Sequence, residues 1–293
     1  MIIIDYSGIS MAGIIAIKSQ LEDKTEKETI NLIRHVIISS ILSYKKKYSN
    51  KFSEVIIACD GPSYWRKEYF PNYKGTRKSG REASKTDWKM IFKCMAIVRE
   101  DLVKYFPYKV IWLDKCEADD IIASLVKEYQ EFGKYEEIMI ISSDNDLTQL
   151  QKYDNVSQYS PTTKKTLKLT KRQVIEYINE CEVKGQSKDD IPSIKQNDDF
   201  FVNGLNERAT PIYKKTLEEF MLIGEKACKN ETELRNYIRN KNLFNFDYIP
   251  EEVHNSVILA FDVPRYEKFD RMKLMNYLVE NRLGRLLDSI QLF

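Results

Sequence analysis

The sequence predicts an α/β protein: a mostly parallel central sheet with helices on both faces, followed by a helical C-terminal region. Three observations carry this reading. Four short apolar runs, IIID, VIIACD, VIWLDKCEADD and IMIISSDND, are β-branched and run into acid. Runs of this kind read as strands buried on both faces. Helical spacing alternates with them, the pattern of βαβ units. Beyond about residue 170 the strand signal fades and helical spacing continues.

The elements follow in order. The first strand ends at Asp5. Thr25 and Glu28 fit a capping box, and Ile30, Ile33, Ile37 and Ile41 repeat at helical spacing. A first helix is therefore expected to join that strand to one near 55–60. Residues 61–82, rich in Pro, Gly, Arg and Lys and without a period, predict a mobile loop leading into a helix over about 83–105. A strand at 109–113 enters EADDIIASLVKEY, where Ile121, Ile122, Leu125 and Val126 mark a helix face. A strand at 138–142 precedes a short helix near 146–152. VSQYS and KTLKL, within 156–169, read as a strand pair at the sheet edge. Thr170 caps a helix running to Cys181, Lys184 to Ile194 is turn-rich, and helices are expected at 214–228, 231–240, 250–260 and 270–288. The expected domains are 1–170, with a basic segment at about 61–105, and 171–293.

Composition excludes several classes. Hydrophobic content of 43% is ordinary for a globular protein. No apolar run approaches a membrane span, and the acid at position 5 does not suit a secretory leader, so a cytoplasmic protein is expected. The five cysteines are scattered without a CxxC and read as reduced thiols. His35 and His254 are the only histidines, which argues against zinc chemistry and a His-based nucleophile relay; His35, in an apolar helical stretch, reads as structural. Net charge is only +2, but residues 61–104 hold eleven Lys/Arg against five acids. Tyr64, Trp65, Tyr69, Phe70, Tyr73 and Trp88 are interleaved with them. Cations with aromatic platforms suit a single-stranded nucleic acid. The plainer alternative is a solvated amphipathic helix whose aromatics belong to the core.

The acids carry the chemistry. In an open parallel sheet, ligands bind outside the carboxyl ends of the strands. Asp5, Asp60, Glu117, Asp119, Asp120, Asp144 and Asp146 are thus expected to converge on one crevice. Two unit charges about 4 Å apart repel by roughly 4 kcal/mol at an effective dielectric near 20. Such a cluster needs a compensating charge, and an oxygen-only ligand set favours magnesium or manganese over zinc. A single Asp after a strand is often a helix cap or turn residue. Four acid-ended strands, two carrying i, i+2 carboxylate pairs, favour the metal site. Metals and cations together clamp phosphodiesters.

FPNYKGTR (70–77), CEADD (116–120), ISSDNDLTQL (141–150) and KGQSKDDIPSI (184–194) resemble the 5′-nuclease, or flap endonuclease, family, nearest to its phage ribonuclease H-type members. The likeness runs in order along the whole chain, strong to about residue 215 and thin afterwards. It implies a PIN-like core, an arch over the active site, and a helix–three-turn–helix element that grips duplex DNA. It also implies two Mg2+ ions, with Mn2+ as a substitute. The implied activity is 5′→3′ exonuclease and flap endonuclease action on RNA–DNA hybrids, 5′ flaps and nicked duplexes during DNA replication. Carried over residue by residue, Asp5, Asp60, Glu117 and Asp119 become metal ligands, with Asp120 an outer or shared one. Asp144, Asp146 and Asp189 complete the second site. Lys74 and Arg77 match the arch cations on the scissile phosphate, and Tyr73 an aromatic that stacks the terminal nucleotide. Gly185, Lys188 and the amides of their turn would face duplex phosphates.

One departure stands out. The family's turn reads G-D-x-x-D-N; here it is Gly185-Gln186-Ser187-Lys188-Asp189-Asp190. Gln186 cannot supply the charge. Asp190 restores it only if the turn shifts by one residue; otherwise the second metal is held more loosely. The resemblance further implies a monomer working with a single-strand-binding protein and a sliding clamp. The final LLDSIQLF is either a packed helix or an apolar clamp-binding tail. Two other readings remain: a PIN-type endoribonuclease, against which the helical region after 170 argues, and a DNA-junction-binding module with weak or no catalysis, which rests on Gln186 alone.

Overall fold

A computed structural model describes residues 1–52, 54–204, 208–264 and 269–293. Its first strand, β1 (Ile2–Asp5), is buried throughout. Asp5 both ends this strand and starts a helix, accepting the Gly8 N–H at 2.9 Å as the cap of α1 (Tyr6–Ala16). Helix α1 is not marked in the sequence, because its two glycines weaken the helical signal. Gly8 is required by contact: a Cβ there would lie 2.4 Å from Asp5 Oδ2. Next comes α2 (Glu26–Tyr48), with the expected Thr25–Glu28 capping box and Ile33, Ile37 and Ile41 buried against the sheet. It leads to β2 (Val55–Cys59).

The basic segment differs from expectation. In place of one loop and one helix it forms α3 (Trp65–Tyr69), α4 (Arg77–Glu82) and α5 (Trp88–Tyr105). Trp65, Arg66, Phe70 and Tyr73 are buried, so its first part is packed. The last helix begins at 88 because Asp87 caps it, accepting the Met90 N–H at 2.9 Å. The chain continues through β3 (Lys109–Trp112), α6 (Ala118–Glu131), β4 (Ile138–Ile141), a 3₁₀ turn at Asn145–Lys152, β5 (Val156–Ser160) and β6 (Lys165–Leu167).

The sheet order is β3-β2-β1-β4-β5-β6; the first five strands are parallel and β6 pairs antiparallel with β5. Ile2, Ile4, Ile57 and Ile141 face a core shared with α2 and α5, and Ile3, Ile56 and Ile140 face one shared with α6. Burial on both faces explains why these strands read as continuous apolar runs. The chain winds outward from β1 to β3, then returns to β4 on the other side of β1. The β1/β4 junction is therefore a topological switch point, where carboxyl ends open a crevice.

The helical part comprises α7 (Lys171–Lys184), α8 (Lys214–Ile223), α9 (Glu231–Phe244), α10 (Glu251–Asp262) and α11 (Arg271–Glu280), then a 3₁₀ stretch at Gly284–Leu292. Two helices are shorter than expected: Gly224, at φ +57°, ends α8, and Arg282, at φ +58°, follows α11. Val183, Ile194, Phe220 and Tyr237 form a small core for α7 to α9. Val253 and Val257 of α10 instead join the core beside α6, and Leu274, Tyr277 and Leu278 of α11 the core beside α2 and α5. The expected division at residue 170 places these last helices with α7–α9, whereas their apolar faces pack on the sheet's two sides. Phe293 is buried with its ring centroid 5.2 Å from that of Phe106, so the final peptide is packed. Among the described residues, no helix is long and apolar enough to cross a membrane.

Candidate active site

Each acid reaches the crevice through an element boundary. Asp5 ends β1, Asp60 follows β2, Glu117 and Asp119 open α6, and Asp144 caps the 3₁₀ turn after β4. Their local hydrogen bonds set them in place. Asp5 accepts from Ser142 Oγ at 2.8 Å as well as from Gly8, and Asp60 accepts the Ala118 N–H at 2.9 Å. Asp144 accepts the Asp146 N–H at 2.9 Å. Burial, reinforced by the charge of Asp60, pushes Asp5 up to about 6. Asp119 is raised well above the usual carboxylate range by desolvation, then by the charges of Asp144 and Asp5.

Cations reach the same place from two distant segments. Lys74 lies between Glu117, to which its ammonium is hydrogen-bonded, and Asp189, at 3.8 Å. Arg77 Nη2 is 2.6 Å from Asp189 Oδ1. Lys188 Nζ lies 2.7 Å from Asp144 and 2.9 Å from Asp146. Burial alone would raise Glu117, but Lys74 and Arg66 outweigh it and hold the carboxyl below its ordinary range. Asp144 is likewise held low against its burial, chiefly by Lys188. Asp146 stays raised, because burial and the Asp144 charge prevail over Lys188.

Several expected roles are corrected. Asp120 turns away from the crevice: it pairs with Arg66 Nη1 at 2.7 Å and accepts from Trp65 Nε1 and the Glu117 N–H. A fully buried carboxylate is costly unless paired and hydrogen-bonded, and these partners do both. Tyr73 is not an exposed platform; only 4% accessible, it donates its hydroxyl to Glu117 at 3.0 Å. Gly185 does not offer its amide to a ligand, since that N–H donates to the Cys181 carbonyl at 2.9 Å. Its glycine is needed because φ is +68° and a Cβ would meet the Ile191 carbonyl at 2.2 Å. Lys188 points into the crevice, not along the surface. Asp190 does not stand in for the missing acid: its carboxylate accepts the Thr76 N–H at 2.8 Å and the Thr76 hydroxyl at 2.9 Å. Gln186 donates its amide N–H to Asp146 Oδ1 at 2.8 Å.

Three contributors escaped the sequence reading. Arg66 is 3% exposed and also donates through Nε to the Leu243 carbonyl at 2.8 Å, tying Glu117 and Asp120 to α9. Its partners are 51 or more residues away, so no local signal marks it. Tyr177 donates to Asp146 at 2.8 Å from one face of α7, which only the fold reveals. Ser142 sits in the ISSD run itself and was open to recognition as a turn donor.

With Lys74 and Lys188 seated among the acids, no group of three or more His, Cys, Asp or Glu among the described residues stands close enough to hold a metal ion as arranged. The charge balance nevertheless fits divalent ions. Asp5, Asp60, Glu117, Asp119, Asp120, Asp144, Asp146 and Asp189 face four cations, Arg66, Lys74, Arg77 and Lys188. Four uncompensated carboxylates match the charge of two divalent cations, and all donors are oxygen.

Residues 1–179 match the family described as 5′-3′ exonuclease, N-terminal resolvase-like domain, and residues 173–293 the one described as T4 RNase H, C terminal. The ribonuclease H of Enterobacteria phage T4 is 34% identical over 300 residues, spanning 99% of this chain and 95% of its own. The bacteriophage T5 flap endonuclease, solved as a pseudo-enzyme–product complex with DNA and metal ions, has TM-score 0.63 at 19% identity, covering 89% of this chain and 99% of that one. The T5 5′-exonuclease with bound zinc has TM-score 0.57 at 20% identity, covering 90% and 98%. These two likenesses are of fold.

Proposed function

The chain belongs to the 5′-3′ exonuclease family and is a nuclease, and on that premise we propose a magnesium-dependent enzyme that removes RNA primers and 5′ flaps from duplex DNA during replication. One observation carries the reading: a crevice at the β1/β4 switch point has four carboxylates more than its cations can balance, beside the arch residues Lys74 and Arg77. Asp5, Asp60, Glu117 and Asp119 would hold one Mg2+ or Mn2+, and Asp144, Asp146 and Asp189 the second, more loosely held one. Such ions lower the pKa of bound water and neutralise charge on a phosphodiester.

The chain's own residues do the rest. Lys74 and Arg77 are already charged and positioned before substrate arrives, so they add positive charge where the phosphate develops its negative charge. Glu117 and Asp189 orient these two cations. Lys188 shields Asp144 and Asp146 from each other until ions and phosphate enter. The turn at 186–190 and α7–α9 supply the duplex-binding part, with residues 1–170 as the catalytic core. The buried Phe293 argues against a clamp-binding tail.

The test is cleavage of 5′-labelled flap, nicked and RNA–DNA hybrid substrates with and without magnesium. Ion-dependent release of short products from the 5′ end is expected. Cutting of single-stranded RNA in preference to these substrates would favour the PIN-type reading. Tight junction binding without cleavage would favour the binding module.

A further inference from the structure

Seven aromatic rings are interleaved with the basic residues of 61–104, and the fold assigns most of them elsewhere. Trp65, Phe70 and Tyr73 are buried. Tyr69 is exposed, but its hydroxyl accepts from Asn242 of α9. Trp88 and Phe92 stack on each other with centroids 6.0 Å apart. Tyr64 is the remaining one. Its ring is partly open, and the Lys74 ammonium lies 5.7 Å from its centroid. The same ammonium is hydrogen-bonded to Glu117, which places the ring beside the crevice.

The loop that carries this ring is held on both sides. Gly61 N–H donates to the Cys116 carbonyl at 2.8 Å and Trp65 N–H to the Lys115 carbonyl at 3.0 Å. Ser63 Oγ donates to Asp114 at 2.6 Å. An aromatic ring on a clamped loop is pre-organised, so little conformational freedom is lost when a planar group stacks on it. Every nucleobase has a face to stack, whatever its identity.

Resting on the nuclease reading above, we propose that Tyr64 is the stacking platform for the nucleobase next to the scissile phosphate, with the neighbouring Lys74 ammonium on that phosphate. The base would then be held in register by a ring while the cation acts on the bond being cut. Because stacking is blind to base identity, Tyr64 would set the cleavage position without sequence preference.

The experiment places 2-aminopurine at the nucleotide beside the scissile phosphate of a 5′-flap DNA and records its fluorescence on binding in EDTA. Wild type and Tyr64→Phe should quench it; Tyr64→Leu should not, and its single-turnover rate with magnesium should fall about tenfold. With an abasic nucleotide at that position, wild type should lose a similar factor and Tyr64→Leu little more. Equal loss by Tyr64→Leu on intact and abasic substrates would mean the ring only steadies Lys74, and would overturn the platform. So would wild-type quenching in Tyr64→Leu. If wild type neither binds nor cuts the flap, the nuclease reading itself fails, a result separable from both.

Discussion

The backbone N–H of Lys74, held at φ +53°, donates to the Asp189 carbonyl at 2.9 Å. With Thr76 on Asp190 and Arg77 on Asp189, this joins the start of α4 to the 186–190 turn. A left-handed lysine is uncommon and costs on the order of 1 kcal/mol, so the surrounding contacts must impose it. Lys74 and Arg77 are thus positioned by the turn proposed to meet the duplex.

Lys74→Ala and Arg77→Ala should each lower the single-turnover rate by about tenfold or more, as loss of a pre-placed cation implies. DNA affinity should fall less, because many other cations share that load. Parallel rate and titration measurements decide it; an equal fall in both would make the pair a docking patch.

Asp119→Asn should leave the melting curve nearly unchanged or slightly improved without ions, since it removes a crowded carboxylate, whereas Asp144→Asn should lower it slightly, since it breaks the pair with Lys188. Hydrolysis should drop by more than about 100-fold, beyond the loss typical of residues that merely support a metal ligand. Wild-type turnover in either variant at saturating magnesium would exclude that residue from the mechanism.

Asp5 predicts an unusual pH response. Its carboxyl ordinarily titrates at 3.8 and here at about 6, so the folded protein holds a proton that the unfolded chain has released. Ion-free protein should therefore lose stability as pH rises from about 4 to 6, the loss being complete above that window and on the order of 1–3 kcal/mol. Melting in EDTA should be higher near pH 5 than near pH 7.5, and Asp5→Asn should flatten the difference. Magnesium should reverse it by stabilising the deprotonated site.

Lys188→Met leaves Asp144 and Asp146 without their shared cation. Ion-free protein should melt lower, by on the order of 1 kcal/mol for a partly exposed pair, and magnesium should restore most of the loss. Differential scanning with and without the ion tests this; a variant equally destabilised in both conditions would reduce Lys188 to a packing role.

Removing residues 289–293 deletes the buried Phe293 and the half-buried Ile290. A loss of about 1.5–3 kcal/mol for Phe293 alone is expected, read as a melting temperature lower by several degrees. An unchanged melting temperature would show that the final peptide is a free tail.

Much of this was legible in the chain itself. The buried strands are recognisable because burial on both faces forces continuous β-branched runs, and the acids at their ends follow from a sheet whose carboxyl ends face the ligand. The Thr25 and Thr170 caps were readable because a cap and its helix are neighbours in sequence. What only the tertiary structure decided lies in contacts between distant segments. Arg66 binds Asp120 and removes it from the crevice, Tyr73 is buried against Glu117, and Asp190 serves Thr76. Neither the periodicity nor the motif distinguishes a carboxylate facing solvent from one facing a guanidinium 54 residues away, because local sequence sets where a side chain starts and packing sets where it ends. The same holds for α10 and α11: their amphipathic pattern says that each buries a face, and the sheet, reached from far along the chain, supplies the surface.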